Sequence, residues 1–231
     1  MSSSSSVEVK FKCYYEGWLN QLEIHLQNLV MEREPNYNTI VTSLISHHKE
    51  FYSAKWGLAH DDILAFFAQQ WLTPLESAFS WVTGWKPTSV FRLVDSLRRT
   101  SLALLTEDQA LTIFNLSLKI KSEECMVERE LERQQVALGD RNLAYLAQLA
   151  GRRGVTEPIR DVKGVLDGFH KVMKMADYVR LKTLKAVLDV LTPKQAVDFL
   201  AMFAMLHLQV RKWGQLRAAT TSTSTTLTLP Y

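Results

Sequence analysis

Residues 71–94, WLTPLESAFSWVTGWKPTSVFRLV, constrain the fold more than any other stretch. They hold three of the six tryptophans, and Pro74, Gly84 and Pro87 punctuate them firmly. The spacing predicts a helix start, a short helix, a stop, a tight turn and a second helix start. Thr73 can cap the first helix through its hydroxyl, and Pro74 takes the first helical position, where a missing N–H costs nothing. Glu76, three residues after the cap, can reach back to the Thr73 N–H and complete a capping box. Leu75, Ala78, Phe79 and Val82 give one apolar stripe. Gly84 is free to take the left-handed conformation that ends a helix, and Pro87 blocks its continuation. Thr88 or Ser89 can cap the second helix, with Val90, Phe91, Leu93, Val94 and Leu97 as its apolar set.

The same helical period runs through most of the chain. Phe11, Tyr14, Tyr15, Trp18, Leu19, Leu22 and Leu26 mark an amphipathic first helix, broken at Pro35 and Asn36. A second helix is expected from about Thr39 to Phe67. Thr106 with Gln109 forms another capping box, opening a long helix through Leu138. Its second half, charged from Lys121 to Arg133, is expected to project into solvent or onto a partner. A short helix is expected over Asn142 to Ala150. Asp161 to Leu191 resumes the pattern, and Thr192, Pro193 and Gln195 make a third box before the last helix. No stretch alternates with period two, so the fold class is all-α, a bundle of about six to eight helices. Residues 1–10 and the Thr/Ser-rich tail 218–231 are expected to be disordered, with one helical domain over 11–217 and a flexible linker at 151–158.

With 27 basic against 24 acidic residues, charge alone does not imply a nucleic-acid binder. Cys13 and Cys125 form no metal or redox spacing, and the serine run at the N-terminus lacks the apolar centre of a signal peptide. These features point to a reduced intracellular protein. The longest apolar stretch, Phe199 to Val210, is too short to span a bilayer and carries His207 and Gln209, so no membrane role is expected.

No enzyme signature is present: no glycine-rich phosphate loop, no H-E-x-x-H, no G-x-S-x-G and no Cys/His metal spacing. No catalytic or metal-ligating set is therefore assigned. Adjacent His47 and His48 point about 100° apart on a helix, which suits core packing better than ligation. Glu123, Glu124, Glu128, Glu130 and Glu132 lack the histidine that a di-metal bundle needs three residues on, and read as a solvated charged face. Arg152 and Arg153, between glycines, are a weak phosphate site. Lys55, Asp62, Glu76 and Arg92 lie near apolar stripes, which suggests a polar network shared within the N-terminal half. His207, among Met202, Phe203, Met205, Leu206 and Val210, is the one histidine placed like a ligand for a flat apolar cofactor such as haem.

The motif W-x-T-P-x-E, followed by W-x-x-G-x-[RK]-P-[ST]-x-x-[FL]-[RK]-L, resembles the signature of the Delay-of-Germination domain. That domain also forms the C-terminal regulatory half of TGA-type bZIP transcription factors. Here it reads as Trp71, Thr73, Pro74 and Glu76, then Trp81, Gly84, Lys86, Pro87, Thr88 or Ser89, Phe91, Arg92 and Leu93. Tyr15, Trp18, Leu19, His47 and Lys55 to Asp62 fit upstream, and Ala176, Asp177, Arg180, Thr183 and Leu184 resemble the A-D-x-x-R-x-x-T-L segment downstream. Leu191 to Gly214 looks more like the stand-alone members than the TGA factors.

The resemblance implies a non-enzymatic regulator of seed dormancy, germination or seed maturation in the nucleus or cytoplasm. It also implies a type 2C protein phosphatase of abscisic-acid signalling as partner. Tyr14, Tyr15, Glu16 and Trp18 on the first helix are the expected contact, with a homodimer compatible. A second reading is a transcriptional regulator that joins bZIP factors. Only a serine run and Val7 to Lys10 precede the domain, so direct bZIP-type DNA binding is not expected. A haem or apolar-ligand sensor is a third reading. The family's stand-alone members can offer two haem histidines four residues apart; here the first is His207, but the second position is Arg211.

Overall fold

The computed structural model describes residues 6–31, 36–100, 105–140 and 162–224. Among these the chain forms eight helices and no strand: α1 (Ser6–Met31), α2 (Tyr37–Ala59), α3 (Ile63–Ala68), α4 (Pro74–Ala78), α5 (Ser89–Thr100), α6 (Glu107–Asp140), α7 (Val162–Val190) and α8 (Pro193–Ser224). The class is all-α, as the periodicity requires. The expected helix over Asn142–Ala150, the linker 151–158 and the Arg152–Arg153 pair lie outside the described residues.

All three capping boxes form. Thr73 Oγ1 accepts from the Glu76 N–H, and a Glu76 carboxylate oxygen accepts from the Thr73 N–H at 2.6 Å. Thr106 with Gln109 and Thr192 with Gln195 repeat the arrangement. Asp62 interrupts the expected long second helix: its carboxylate accepts from the Ala65 N–H and starts α3 as a new helix.

Both ends of the helical body reach further than expected. Val7 is buried, because it lies on the stripe of Phe11 and Tyr15, so α1 starts at Ser6 rather than near Phe11. At the other end α8 runs to Ser224, past residue 217: Ala218 and Ala219 are strong helix formers and extend a helix already nucleated by packing.

α8 packs against α1, α2, α4 and α5, and α2 lies against α1, α3, α7 and α8. Phe11 seals the α1 contact. Its ring meets Phe66 and Trp71 edge-on, each at 4.7 Å, and Phe51 at 5.8 Å. Such pairs contribute about 0.5–1.5 kcal/mol each beyond the area they bury. The most extensive pairing joins α6 to α7. Ile113, Ile120 and Val127 recur every seventh residue and present one buried seam.

That seam carries past the midpoint of α6, so its charged half does not project freely. Glu124 is buried and receives the Thr88 N–H at 2.6 Å and the Thr88 hydroxyl at 3.0 Å, capping the start of α5 from another helix. Burial pushes its carboxyl up, and the Thr88 bonds pull against that. Glu123 pairs with Lys182 and Glu128 with Lys86 and the Trp81 indole. The expected solvated face is thus largely an interhelical one. Among the described residues no helix is long and apolar enough to cross a membrane.

Candidate functional site

The turn between α4 and α5 departs from the local expectation. Phe79 only caps α4 and is 70% exposed, so the expected stripe stops at Ala78. Trp81 and Gly84 then exchange backbone bonds across a two-residue turn, at 2.6 and 3.2 Å. The left-handed residues are Val82 (φ 36°) and Thr83 (φ 62°), not Gly84. A branched side chain in that region costs about 1–3 kcal/mol and persists only where the surroundings hold it. Gly84 instead leaves room for Arg180: a Cβ there would lie 3.1–3.3 Å from the guanidinium, tighter than ordinary contact.

Two buried cations hold the turn. Arg180 donates through Nη2 to the Trp81 and Val82 carbonyls and through Nε to the Trp85 carbonyl at 2.7 Å. Lys55 Nζ donates to the Thr83 carbonyl and hydroxyl, both at 2.9 Å. Asp177 answers both cations, with Oδ1 at 2.9 Å from Lys55 and 2.5 Å from Arg180, while its Oδ2 accepts from the Trp56 indole. All three charged side chains are essentially inaccessible. Two positive charges thus face one negative one, and the turn's carbonyl dipoles satisfy the excess. Burial lowers the Lys55 ammonium to about 8, with Asp177 pulling it back up.

The expected polar network therefore exists around Lys55: Thr83 of the N-terminal half belongs to it, but its other charged members, Asp177 and Arg180, come from α7 rather than from the N-terminal half. Asp62 is a cap, Arg92 is exposed, and Glu76 belongs to a second network. Asp177 and Arg180 stand three apart in the A-D-x-x-R segment, which puts both on one face of α7. That spacing was the available signal for the site.

The second network joins α1, α4 and α8. A Glu76 carboxylate oxygen accepts from the Tyr15 hydroxyl at 3.1 Å, and its other oxygen accepts from Arg211 at 3.0 Å. Arg211 also donates to the Trp71 carbonyl at 2.6 Å, lies 3.6 Å from Glu16, and covers the Tyr15 ring. Trp18 is buried: its indole donates to the His47 carbonyl, and His47 Nε2 donates to the Trp18 carbonyl at 3.0 Å. Of the four residues expected to meet a partner, Tyr15 and Trp18 are therefore interior supports. Glu16 is exposed and Tyr14 is partly so, beside Phe51.

His47, His48 and His207 gather around Trp18, with His25 at the edge. Burial lowers all three inner imidazoles, His48 to about 3. His207 Nδ1 donates to the Phe203 carbonyl at 2.8 Å, which leaves Nε2 unprotonated as a ligand requires. Its ring, however, is closed in by Phe203 at 4.5 Å and Trp18 at 6.3 Å, and one turn on stands Arg211, tied to Glu76.

The DOG1 family model, described as seed dormancy control, matches residues 18–96. "Protein DOG1-like 4" of Arabidopsis thaliana is 45% identical over 220 residues, covering 91% of this chain and 94% of that protein. "Protein RESPONSE TO ABA AND SALT 1" of the same plant is 28% identical, covering 94% of this chain and all of that protein. "Transcription factor TGA5", also from Arabidopsis thaliana, is 28% identical over 190 residues, which is 77% of this chain and 53% of the factor.

Proposed function

The chain belongs to the DOG1 seed dormancy control family, and from that premise we propose that it is a non-enzymatic helical adaptor that regulates seed dormancy, germination or seed maturation by binding another protein. The near full-length match to DOG1-like 4 carries this reading. The use of the buried charges supports it too. Lys55, Arg180, Glu76 and Glu124 are committed to turns and helix caps, where they hold backbone, and Asp177 is committed to Lys55 and Arg180, rather than facing an open cleft.

The partner we propose is a type 2C protein phosphatase of abscisic-acid signalling, met in the nucleus or cytoplasm. One relative's name includes a response to ABA, which favours that pathway. The contact is on α1 at Tyr14 and Glu16, which flank the buried Tyr15 on its α2 and α8 sides, with Tyr15 and Trp18 as interior supports. Binding of the purified chain to such a phosphatase tests this. Tyr14→Ala and Glu16→Lys are expected to weaken it about tenfold or more while the variants remain folded by circular dichroism. Unaltered binding by both folded variants refutes the contact.

A second reading, a transcriptional regulator acting with bZIP factors, is favoured by the similarity to TGA5 across 77% of this chain. Its test is promoter occupancy by the chain that depends on a co-expressed TGA factor.

A further inference from the structure

An open groove of about 1050 Å³ runs between α1 and α8. Leu19 and Leu26 of α1 and Met205 and Leu208 of α8 line it with apolar side chains. The α1 wall carries Glu16 and Glu23, two helical turns apart; the α8 wall carries Arg211 and Lys212. Arg211 is balanced by Glu76 and also lies 3.6 Å from Glu16, so Glu23 on α1 and Lys212 on α8 are the wall charges that Arg211 does not engage. Asn20, Gln27, Gln209 and Gln215 add neutral donors and acceptors to the lining.

The dimensions select the occupant. From Glu16 to Gln27, α1 advances about 16 Å, or three turns, so the groove's mean cross-section is about 65 Å², roughly two-thirds that of an α-helix 10–12 Å across. A second copy presenting the same face would set one hollow against another and leave the floor unfilled. A convex occupant fills it.

We propose that this groove receives one amphipathic helix of a partner protein, about three turns long, with an apolar stripe against the floor and Lys or Arg side chains over Glu16 and Glu23. Its other flank, over Lys212, is acidic or neutral. Reversing a helix in a groove exchanges its flanks, so the unequal walls also fix the direction in which the partner runs. Met205, 51% exposed, is an adaptable apolar contact on the floor. The proposal rests on the adaptor reading for the existence of a protein partner and adds the chemistry of its contact.

The test uses a fluorescein-labelled designed peptide of about 15 residues with a leucine stripe, lysines on one flank and glutamates on the other. One control has a central proline that abolishes helix, and another has glutamates on both flanks. Binding to the full chain is followed by anisotropy. The mixed-flank peptide is expected to bind saturably. Met205→Asp and Glu23→Lys, both at exposed positions, are each expected to weaken it about tenfold. The all-glutamate peptide is expected to bind only the Glu23→Lys variant well.

Equal binding of the helical and proline peptides, or indifference to both substitutions, overturns the proposal. So does sedimentation showing a dimer of the chain that Met205→Asp and Glu23→Lys both dissociate, since the occupant is then a second copy. Peptide binding without any phosphatase binding leaves the groove standing and removes the phosphatase reading. Phosphatase binding through Tyr14 and Glu16 with no peptide binding removes the groove alone.

Discussion

Asp177→Asn tests the buried charge cluster most sharply. The substitution keeps the side chain's shape but removes the carboxylate that faces both Lys55 and Arg180. Removing one partner of a buried ion pair costs about 3–5 kcal/mol, because a charge is left uncompensated. Lys55 softens that cost. Burial already lowers it to about 8, and without Asp177 to pull it back it sheds its proton near neutral pH. The expected loss at pH 7 is then about 3 kcal/mol, or roughly 6–12 °C in melting temperature for a chain of this length. Lys55→Met deletes the same 2.9 Å bridge yet leaves Asp177 and Arg180 matched one to one. Its cost is the lost anchoring of Thr83, about 1 kcal/mol. Denaturant unfolding followed by circular dichroism compares the two. Equal losses, or a larger loss for Lys55→Met, refute the idea of a cluster one positive charge in excess.

The pH dependence supplies a second readout. The folded value for Lys55, about 8, lies below the ordinary 10.5. Between the two the unfolded chain holds more protons, so stability rises with pH across that window, by about 3 kcal/mol when integrated. Burial raises the Tyr52 phenol, which costs stability as pH rises above its ordinary value of 10.0, so the diagnostic stretch for Lys55 is from about 8 to 10. In Lys55→Met the rise within that stretch disappears.

Acid acts on the histidines around Trp18. Their folded values lie below 6.5, so stability is lost as pH falls through the unfolded value; for His48 the loss is about 2 kcal/mol between pH 6.5 and about 5, and His48→Leu is expected to flatten the slope in denaturant titrations. His25, Glu50 and Glu76 are the other ionisable groups acting on this cluster. Val82→Asn relieves a branched residue at φ 36° and is expected to stabilise by about 1 kcal/mol, read as a raised melting temperature. Gly84→Ala forces a Cβ against Arg180 and is expected to destabilise by about 2 kcal/mol in the same assay. Haem titration of the purified chain is expected to give no Soret band that His207→Ala removes.

The local signals in the sequence are strong where physics is local. Thr73, Thr106 and Thr192 each announce a helix start because a cap and its partner are three residues apart, and all three boxes form. Non-local partners are harder to read. Lys55 is recognisable as a charge on an apolar stripe, but its counter-ion lies 122 residues away. Glu124 reads as one of a run of solvated glutamates, since nothing in its neighbourhood says that Thr88 will meet it. The glycine rule misplaces the left-handed residues for the same reason. Gly84 leaves room for Arg180 from α7, while Val82 and Thr83 carry the strain that Arg180 and Lys55 hold in place.

Arg211 links the interior to the open face. It stands one turn after His207 on α8, and it does what a histidine there cannot. Its planar fork reaches the Trp71 carbonyl and Glu76 through one nitrogen and approaches Glu16 through the other, while its flat face covers Tyr15. Those four contacts fix α8 against α1 and the start of α4, and so set the separation of the groove's two walls. A lysine supplies the charge but no fork. Arg211→Lys should therefore keep Glu76 paired, lose the Glu16 contact, and loosen the groove at its Glu16 end while Glu23 still bounds the other. A basic helix seated there would then be weakened more by Arg211→Lys than the stability of the fold, which separates the wall-spacing role from simple charge balance.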